Sequence, residues 1–122
     1  MPRIVHFEIH ADDPDRAAKF YTDVFGWSVS KWGGPGEFWS AITGSAAEPG
    51  INGVIMRRKH PQGSTYNSVQ VDDLSAYSAK IVAQGGRQVV PRMAIAGFGY
   101  LAYFQDTEGN VFGVFQSDSD AP

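Results

Sequence analysis

His6, Glu8 and His10 recur at every second position near the amino terminus. A two-residue period puts all three on one face of a strand, with neighbours about 7 Å apart. Imidazole and carboxylate are side chains that hold divalent cations and that move protons near neutral pH. Two chemistries are open. His6 and Glu8 could join in a two-ligand metal site. The simpler expectation is that they hydrogen-bond in a polar cavity, with His10 half exposed at the strand end. Sixty residues further on, Tyr66, Ser68 and Gln70 share a face in the same way and could orient a polar ligand.

Several other chemistries are excluded by composition. The 122 residues contain no cysteine, which removes disulfides, thiol nucleophiles and thiolate metal sites. No Gly-x-Ser-x-Gly elbow occurs. Gly33, Gly34 and Gly36 are interrupted by Pro35 and precede no helix, so they form a turn rather than a dinucleotide loop. The net charge is −3, and the basic cluster Arg57, Arg58, Lys59 and His60 beside Pro61 and Gly63 reads as a solvated linker. No nucleic-acid partner is expected. No stretch approaches the roughly 20 apolar residues of a membrane span, and residues 1–8 lack the pattern of a signal peptide. A cytoplasmic protein with no membrane partner is expected.

The elements that must position these side chains form a repeat. With the chain slid by 60 positions, Asp12-Asp13 falls on Asp72-Asp73, Gly26 on Gly86, Val29 on Val89, Phe38 on Phe98 and Gly53 on Gly113. The pattern of elements repeats in the same register. Residues 4–10 alternate as a strand, with Val5, Phe7 and Ile9 opposite the histidines. Asp13 caps a helix opened by Pro14 and carrying Ala17, Phe20, Tyr21 and Val24 inward, and Gly26 ends it. Strands at 27–32, 38–43 and 51–57 follow. The second half has a strand at 66–71, a helix capped by Asp73 with Leu74, Tyr77 and Ile81, strands at 87–90, 100–105 and 111–116, and a loop at 93–99. Each half is βαβββ. The fold class is α+β: two βαβββ modules, about 4–57 and 66–116, forming a cupped mixed sheet within a single domain over 1–116. Residues 58–65 are the linker and 117–122 a flexible tail. The interior of the cup is the expected ligand site.

Several strings resemble the glyoxalase / bleomycin-resistance / extradiol-dioxygenase superfamily, the vicinal-oxygen-chelate fold, in its glyoxalase-like branch. They are His6-Phe7-Glu8-Ile9 leading to Asp12-Asp13-Pro14, Ala18-Lys19-Phe20-Tyr21 leading to Val24-Phe25-Gly26-Trp27, Val71-Asp72-Asp73, and Phe104-Gln105-Asp106 leading to Glu108-Gly109-Asn110. The likeness runs over residues 4–116. It implies four metal ligands on the cup face, one on the first and one on the last strand of each half, usually His, Gln or Glu. Carried over position by position, that quartet is His6, Gly53, Tyr66 and Gly113. Glycine has no ligating side chain, and a neutral phenol is an uncommon ligand. No metal is therefore expected, and no other cofactor.

The two glycines are expected to sit symmetrically on the cup floor, either leaving room for a ligand or filled by Trp39 or Tyr66. Trp27, Trp32, Trp39, Tyr66, Tyr100 and Tyr103 are candidates to line an apolar pocket. The expected ligand-binding set is His6, Glu8, Trp39, Gly53, Tyr66, Gln70 and Gly113, with His6 and Glu8 the candidates for any catalysis. The expected function is that of a glyoxalase-like protein binding a small organic molecule without metal. Two alternatives stay open. One is a divalent-metal lyase, isomerase or dioxygenase using His6, Glu8 and Tyr66. The other is a drug-binding protein of the bleomycin-resistance type. The resemblance also implies a homodimer.

Overall fold

The computed structural model describes residues 2–34 and 36–122. The proline of the expected turn, Pro35, lies outside the described residues. The elements run β1 (Arg3–Ala11), α1 (Pro14–Phe25), β2 (Ser28–Lys31), β3 (Phe38–Ile42), β4 (Gly53–Arg57), β5 (Thr65–Val71), α2 (Leu74–Ala83), β6 (Arg87–Ile95), β7 (Gly99–Gln105) and β8 (Val111–Ser117). This is the α+β, twice βαβββ arrangement that the sequence pattern implies. By contacts the chain forms two compact units, His6–Tyr66 and the residues up to Val5 with Asn67–Pro122.

In the His6–Tyr66 unit the strand order is β2-β3-β4-β1. β1 and β4 are parallel, and the other pairs are antiparallel. Asp13 starts α1: its side chain accepts from the backbone N–H of Arg16 at 3.1 Å, satisfying one of the helix's orphan donors. Gly26 ends it in the left-handed conformation, φ 74°, with its N–H on the Thr22 carbonyl at 2.9 Å. The core lies between α1 and the sheet. Ala11, Trp39 and Ile55 are buried there, with Ile9, Ala17, Ala18, Tyr21 and Val29 packed against them. Burying a side chain such as Ile55 stabilises by roughly 1.5–3 kcal/mol. Trp39 is thus a core residue under the helix and not a lining of the ligand cavity.

A further expectation changes in this unit. Phe20 and Val24, expected inside, are 55% and 56% exposed, and Phe25 is 61% exposed. The small residues Ala17 and Ala18 let α1 lie close to the sheet, so the inward stripe is narrow and the larger side chains fall beside it. Trp27 stacks on Tyr21, with centroids 4.9 Å apart and planes 8° apart.

In the other unit the order is β5-β8-β7-β6, with β5 and β8 parallel. Asp73 caps α2 through the N–H of Ala76 at 3.1 Å. Val71, Leu74, Ala102, Phe104 and Val114 form its core. β6 runs on to Ile95, and Met93, Ala94 and Ile95 pair with Leu101, Tyr100 and Gly99 in place of the expected loop. Pro91 obscures the strand in the sequence, since a proline donates no ladder bond. β6 tolerates it as the outermost strand of this unit's order, with register shifts between Gln88 and Val90 and between Val90 and Met93. The closing residues are not a loose tail. Asp118 N–H bonds the Phe98 carbonyl at 2.9 Å, Gly97 N–H bonds the Ala121 carbonyl at 3.1 Å, and Ala121 is 6% exposed.

Candidate functional site

Alternation along β1 sends Phe7, Ile9 and Ala11 toward α1 and sends His6, Glu8 and His10 to the opposite face. On that face Glu8 is 3% exposed, and among the described residues it is the acid in the buried class. A carboxylate can only accept, so the 3.1 Å contact of Glu8 Oε1 with His10 Nε2 is a hydrogen bond donated by the imidazole. That bond fixes the proton of a neutral ring on Nε2 and turns the Nδ1 lone pair outward from Glu8. His10 is not half exposed, since its side chain retains 12% of its accessibility. Glu8 therefore has His10 as a hydrogen-bond partner, where the sequence suggested His6. His6 lies close enough for the Glu8 charge to raise its pKa, but burial outweighs this and holds the imidazole below its ordinary value.

The segment after β4 closes over the end of β1. His10 N–H bonds the Ser64 carbonyl at 2.8 Å, and Arg58 N–H bonds the Ala11 carbonyl at 2.9 Å. The Arg58 guanidinium donates to the carbonyls of Gly63 and His10 and pairs with Asp12 at 3.1 Å. The basic cluster is thus partly structural: Arg58 pins the turn, and Arg57 pairs with Glu37 at 2.9 Å. The turn and the start of β5 bring Tyr66 to His10, with ring centroids 4.4 Å apart. Gly63 is buried beside both. A Cβ built on it would lie 3.4 Å from the Tyr66 hydroxyl and 3.6 Å from His10 Nδ1. Any long side chain at this position would cover those two polar atoms. Met56 pairs with His10 and Phe38 with Met56, so both share this face and give it an apolar wall. Sequence reasoning misses His10, Gly63 and Arg58 as site residues. The alternation of His6, Glu8 and His10 is the available signal.

Gly53 takes a different place from the one expected. It pairs with Phe7, whereas Gly113 pairs with Ser68. The offset of 60 would set Gly53 against Glu8, so β4 is slipped by one residue relative to β8. A one-residue slip reverses the face. Gly53 consequently lies under α1, where an added Cβ would run into the Phe7 carbonyl and come 2.6 Å from the Phe7 ring. Val54 occupies the Glu8 face instead. The space at Gly53 is filled by Phe7, not by Trp39 or Tyr66.

In the other unit Gly113 does face away from α2. A Cβ there would meet Ser68 Oγ at 2.6 Å and Leu101 Cδ1 at 3.3 Å, so Ser68 fills the floor. The Ser68 hydroxyl is buried with no hydrogen-bond partner among the described residues. Gln70 is exposed and, with Arg3, Val5 and Asp72, borders an open cavity of about 380 Å³ at the end of β5.

These residues do not fit the four-ligand metal set of the resembled superfamily. Gly113 has no donor, Gly53 points to the helix side, and its replacement on the Glu8 face is the aliphatic Val54. Among the described residues no group of three His, Asp or Glu side chains is placed to hold an ion. Nor, among them, is any helix long and apolar enough to cross a membrane.

Comparison with known proteins places this geometry in a lineage. Residues 3–34 match the family described as bleomycin resistance protein-like N-terminal. A glyoxylase-like domain-containing protein of Didymella fabae is 31% identical over 120 residues, which cover 92% of this chain and 91% of that protein. CFP32 of Mycobacterium tuberculosis, which carries a glyoxylase name, is 29% identical over 119 residues. That match takes in 91% of this chain, but the chain spans only 44% of the length of CFP32. Among solved structures, the hypothetical protein BH1468 of Bacillus halodurans superposes with a TM-score of 0.72 at 11% identity, over 99% of this chain and 98% of that one. A methylmalonyl-CoA epimerase in complex with methylmalonyl-CoA superposes with a TM-score of 0.71 at 15% identity, over 100% and 99%. Likenesses at such low identity bear on the fold alone. The fold, the paired modules and the Didymella relative together make this chain a member of the glyoxalase / bleomycin-resistance (vicinal-oxygen-chelate) superfamily, in its glyoxylase-like branch.

Proposed function

We propose that this chain binds a small organic molecule without a resident divalent metal, and that the ligand is met on the Glu8–His10 face of the His6–Tyr66 unit. The pairing of Glu8 with His10 at 3.1 Å carries this reading. It commits the buried acid of that face to an imidazole, while Val54 stands where a second ligating group would be needed. Met56 and Phe38 supply apolar contact for an organic ligand, the usual character of such sites. The cytoplasm is the proposed location, a reducing compartment with which a cysteine-free chain is compatible.

A thermal-shift screen of small organic molecules, run with and without EDTA, tests the reading. The panel should include an acyl-CoA, because the epimerase neighbour is complexed with one. It should also include bleomycin, the drug named in the family match. Stabilisation by a ligand that is unchanged by EDTA is expected. Stabilisation that appears only with added divalent metal would overturn the metal-free reading in favour of a metal-dependent lyase, isomerase or dioxygenase.

The second reading is a drug-binding homodimer. The observation favouring it is the row of exposed apolar side chains on α1, Phe20, Val24 and Phe25.

A further inference from the structure

We propose that the cavity at the end of β5 binds a small zwitterion, an α-amino acid with an apolar side chain, and that Arg3 takes its carboxylate and Asp72 its ammonium. The inference goes beyond the reading above. The site belongs to the other unit, and it stands or falls without the Glu8–His10 face.

The repeat gives each unit a cavity between the strand that leads into its helix and the start of that helix. In the His6–Tyr66 unit the cavity measures about 420 Å³, with His10, Ala11, Asp12 and Ala17 in its lining. In the other unit it measures about 380 Å³, and its lining includes Gln70, Val71, Asp72 and Tyr77, the residues 60 positions further on. The two cavities are one feature of the fold, formed twice.

Their charges differ. In the first cavity Asp12 is paired with Arg58 at 3.1 Å, and Arg58 is itself part of the lining, so the acid is already answered from within the chain. In the ladders Arg57 lies opposite Ala11 and Gln116 opposite Val71, which makes Ser117 the counterpart of Arg58. A serine brings no positive charge. The Asp72 side chain consequently has no ion pair or hydrogen bond among the described residues. Arg3 borders the same space, and among the described residues its guanidinium has none either.

Two opposite charges thus line one cavity without pairing with each other. A ligand that carries both signs can meet both groups at once. A ligand with one sign leaves the other group unanswered and faces a like charge. A carboxylate suits Arg3, whose planar fork grips two oxygens. An ammonium suits Asp72, which as a carboxylate can only accept. Val5, Val71 and Tyr77 supply the apolar contact. Val71 is 5% exposed and belongs to the core of this unit, so that part of the lining is fixed. Lys80 sits over the Tyr77 ring, 5.0 Å from its centroid, and covers one ring face. The volume lies near the lower end of the roughly 300–1,000 Å³ of small-molecule sites, which suits a ligand of amino-acid size.

The test is a two-dimensional ¹⁵N NMR titration of the whole chain at low ionic strength, where exposed charges are least screened. The probes are L-leucine and L-phenylalanine, each run beside the analogue that lacks the amine and the analogue that lacks the carboxylate. At least one of the two amino acids should give saturable shifts centred on residues 3–5, 70–72 and 77. Its singly charged analogues should bind about tenfold more weakly or worse, the equivalent of one lost charge-assisted contact. Arg3→Gln and Asp72→Asn should each weaken its binding by a similar factor. Both positions are exposed, so the unfolding curves should stay in place. Ser117→Arg, which supplies the partner that Asp12 has, should weaken binding as well. The proposal is overturned if neither amino acid gives saturable shifts at those residues. Equal binding by the amino acid and either of its analogues overturns it too, as does affinity untouched by both Arg3→Gln and Asp72→Asn.

Discussion

Glu8 and His10 stand two residues apart on β1, and the Glu8 carboxylate takes the His10 Nε2 proton across 3.1 Å on a face where Glu8 is almost wholly buried. Breaking such a bond leaves a buried charge short of one partner, which costs about 1–3 kcal/mol. His10→Ala should therefore lower the free energy of unfolding by about that amount, measured by urea titration. A double-mutant cycle with Glu8→Gln should give a coupling energy of about 0.5–3 kcal/mol. Strict additivity of the two substitutions would show that the contact contributes nothing.

Gly53 and Val54 exchange the faces that the repeat suggests. Gly53→Ala would drive a methyl group into the Phe7 carbonyl and ring under α1. It should destabilise by about 1–3 kcal/mol, as overpacking does, with a drop in the thermal midpoint. Ligand affinity per folded molecule should not change. For Val54→Ala the expectation is reversed in emphasis, with a smaller loss of stability and a measurable change in ligand affinity. If Gly53→Ala alters affinity while stability is untouched, the register assigned to β4 is wrong.

Much of this molecule is legible in its residues alone. The aspartates at 13 and 73 mark helix starts because a short side-chain acceptor followed by proline or apolar periodicity has few other uses, and both do cap. Alternation along β1 places His6, Glu8 and His10 together for the same local reason. What stays hidden is non-local. An ungapped self-comparison cannot register the one-residue slip of β4, yet that slip alone moves Gly53 from the ligand face to the core. Pro91 hides the second half of β6, because its tolerance depends on an outer strand position that only the sheet order reveals. Trp39 reads equally well as a cavity lining until its partner Ile55 is seen to lie under α1. The hydrogen bond between Glu8 and His10 depends on side-chain placement, which spacing does not encode.

His6 makes stability depend on pH. Burial, outweighing the Glu8 charge, holds its pKa below the ordinary value of 6.5. The folded state therefore disfavours the protonated ring, and on the acid side the unfolded chain binds more protons. The contribution of the neutral ring is complete above 6.5 and is lost as pH falls through that value toward the lower folded-state value. Unfolding free energies measured between about pH 8 and about pH 5 should decline more steeply for the wild type than for His6→Gln. Parallel curves would show that His6 does not titrate differently on folding.

The exposed apolar residues of α1 test the homodimer. Phe20→Ser and Phe25→Ser change side chains that are more than half exposed, so the chain should still fold, losing the Phe20–Tyr21 and Phe25–Trp27 ring contacts at about 0.5–1.5 kcal/mol each. If these side chains are buried between two copies, sedimentation velocity should show the double variant shifted to monomer at concentrations where the wild type is a dimer. A wild type that sediments as a monomer at every concentration would remove the dimer from the account.

The metal content of the protein, purified without chelator and measured by inductively coupled plasma mass spectrometry, bears most directly on the central claim. The account predicts divalent metal far below one equivalent per chain, both as isolated and after dialysis against zinc or magnesium followed by desalting. One equivalent retained by the wild type and lost in His6→Ala would contradict it.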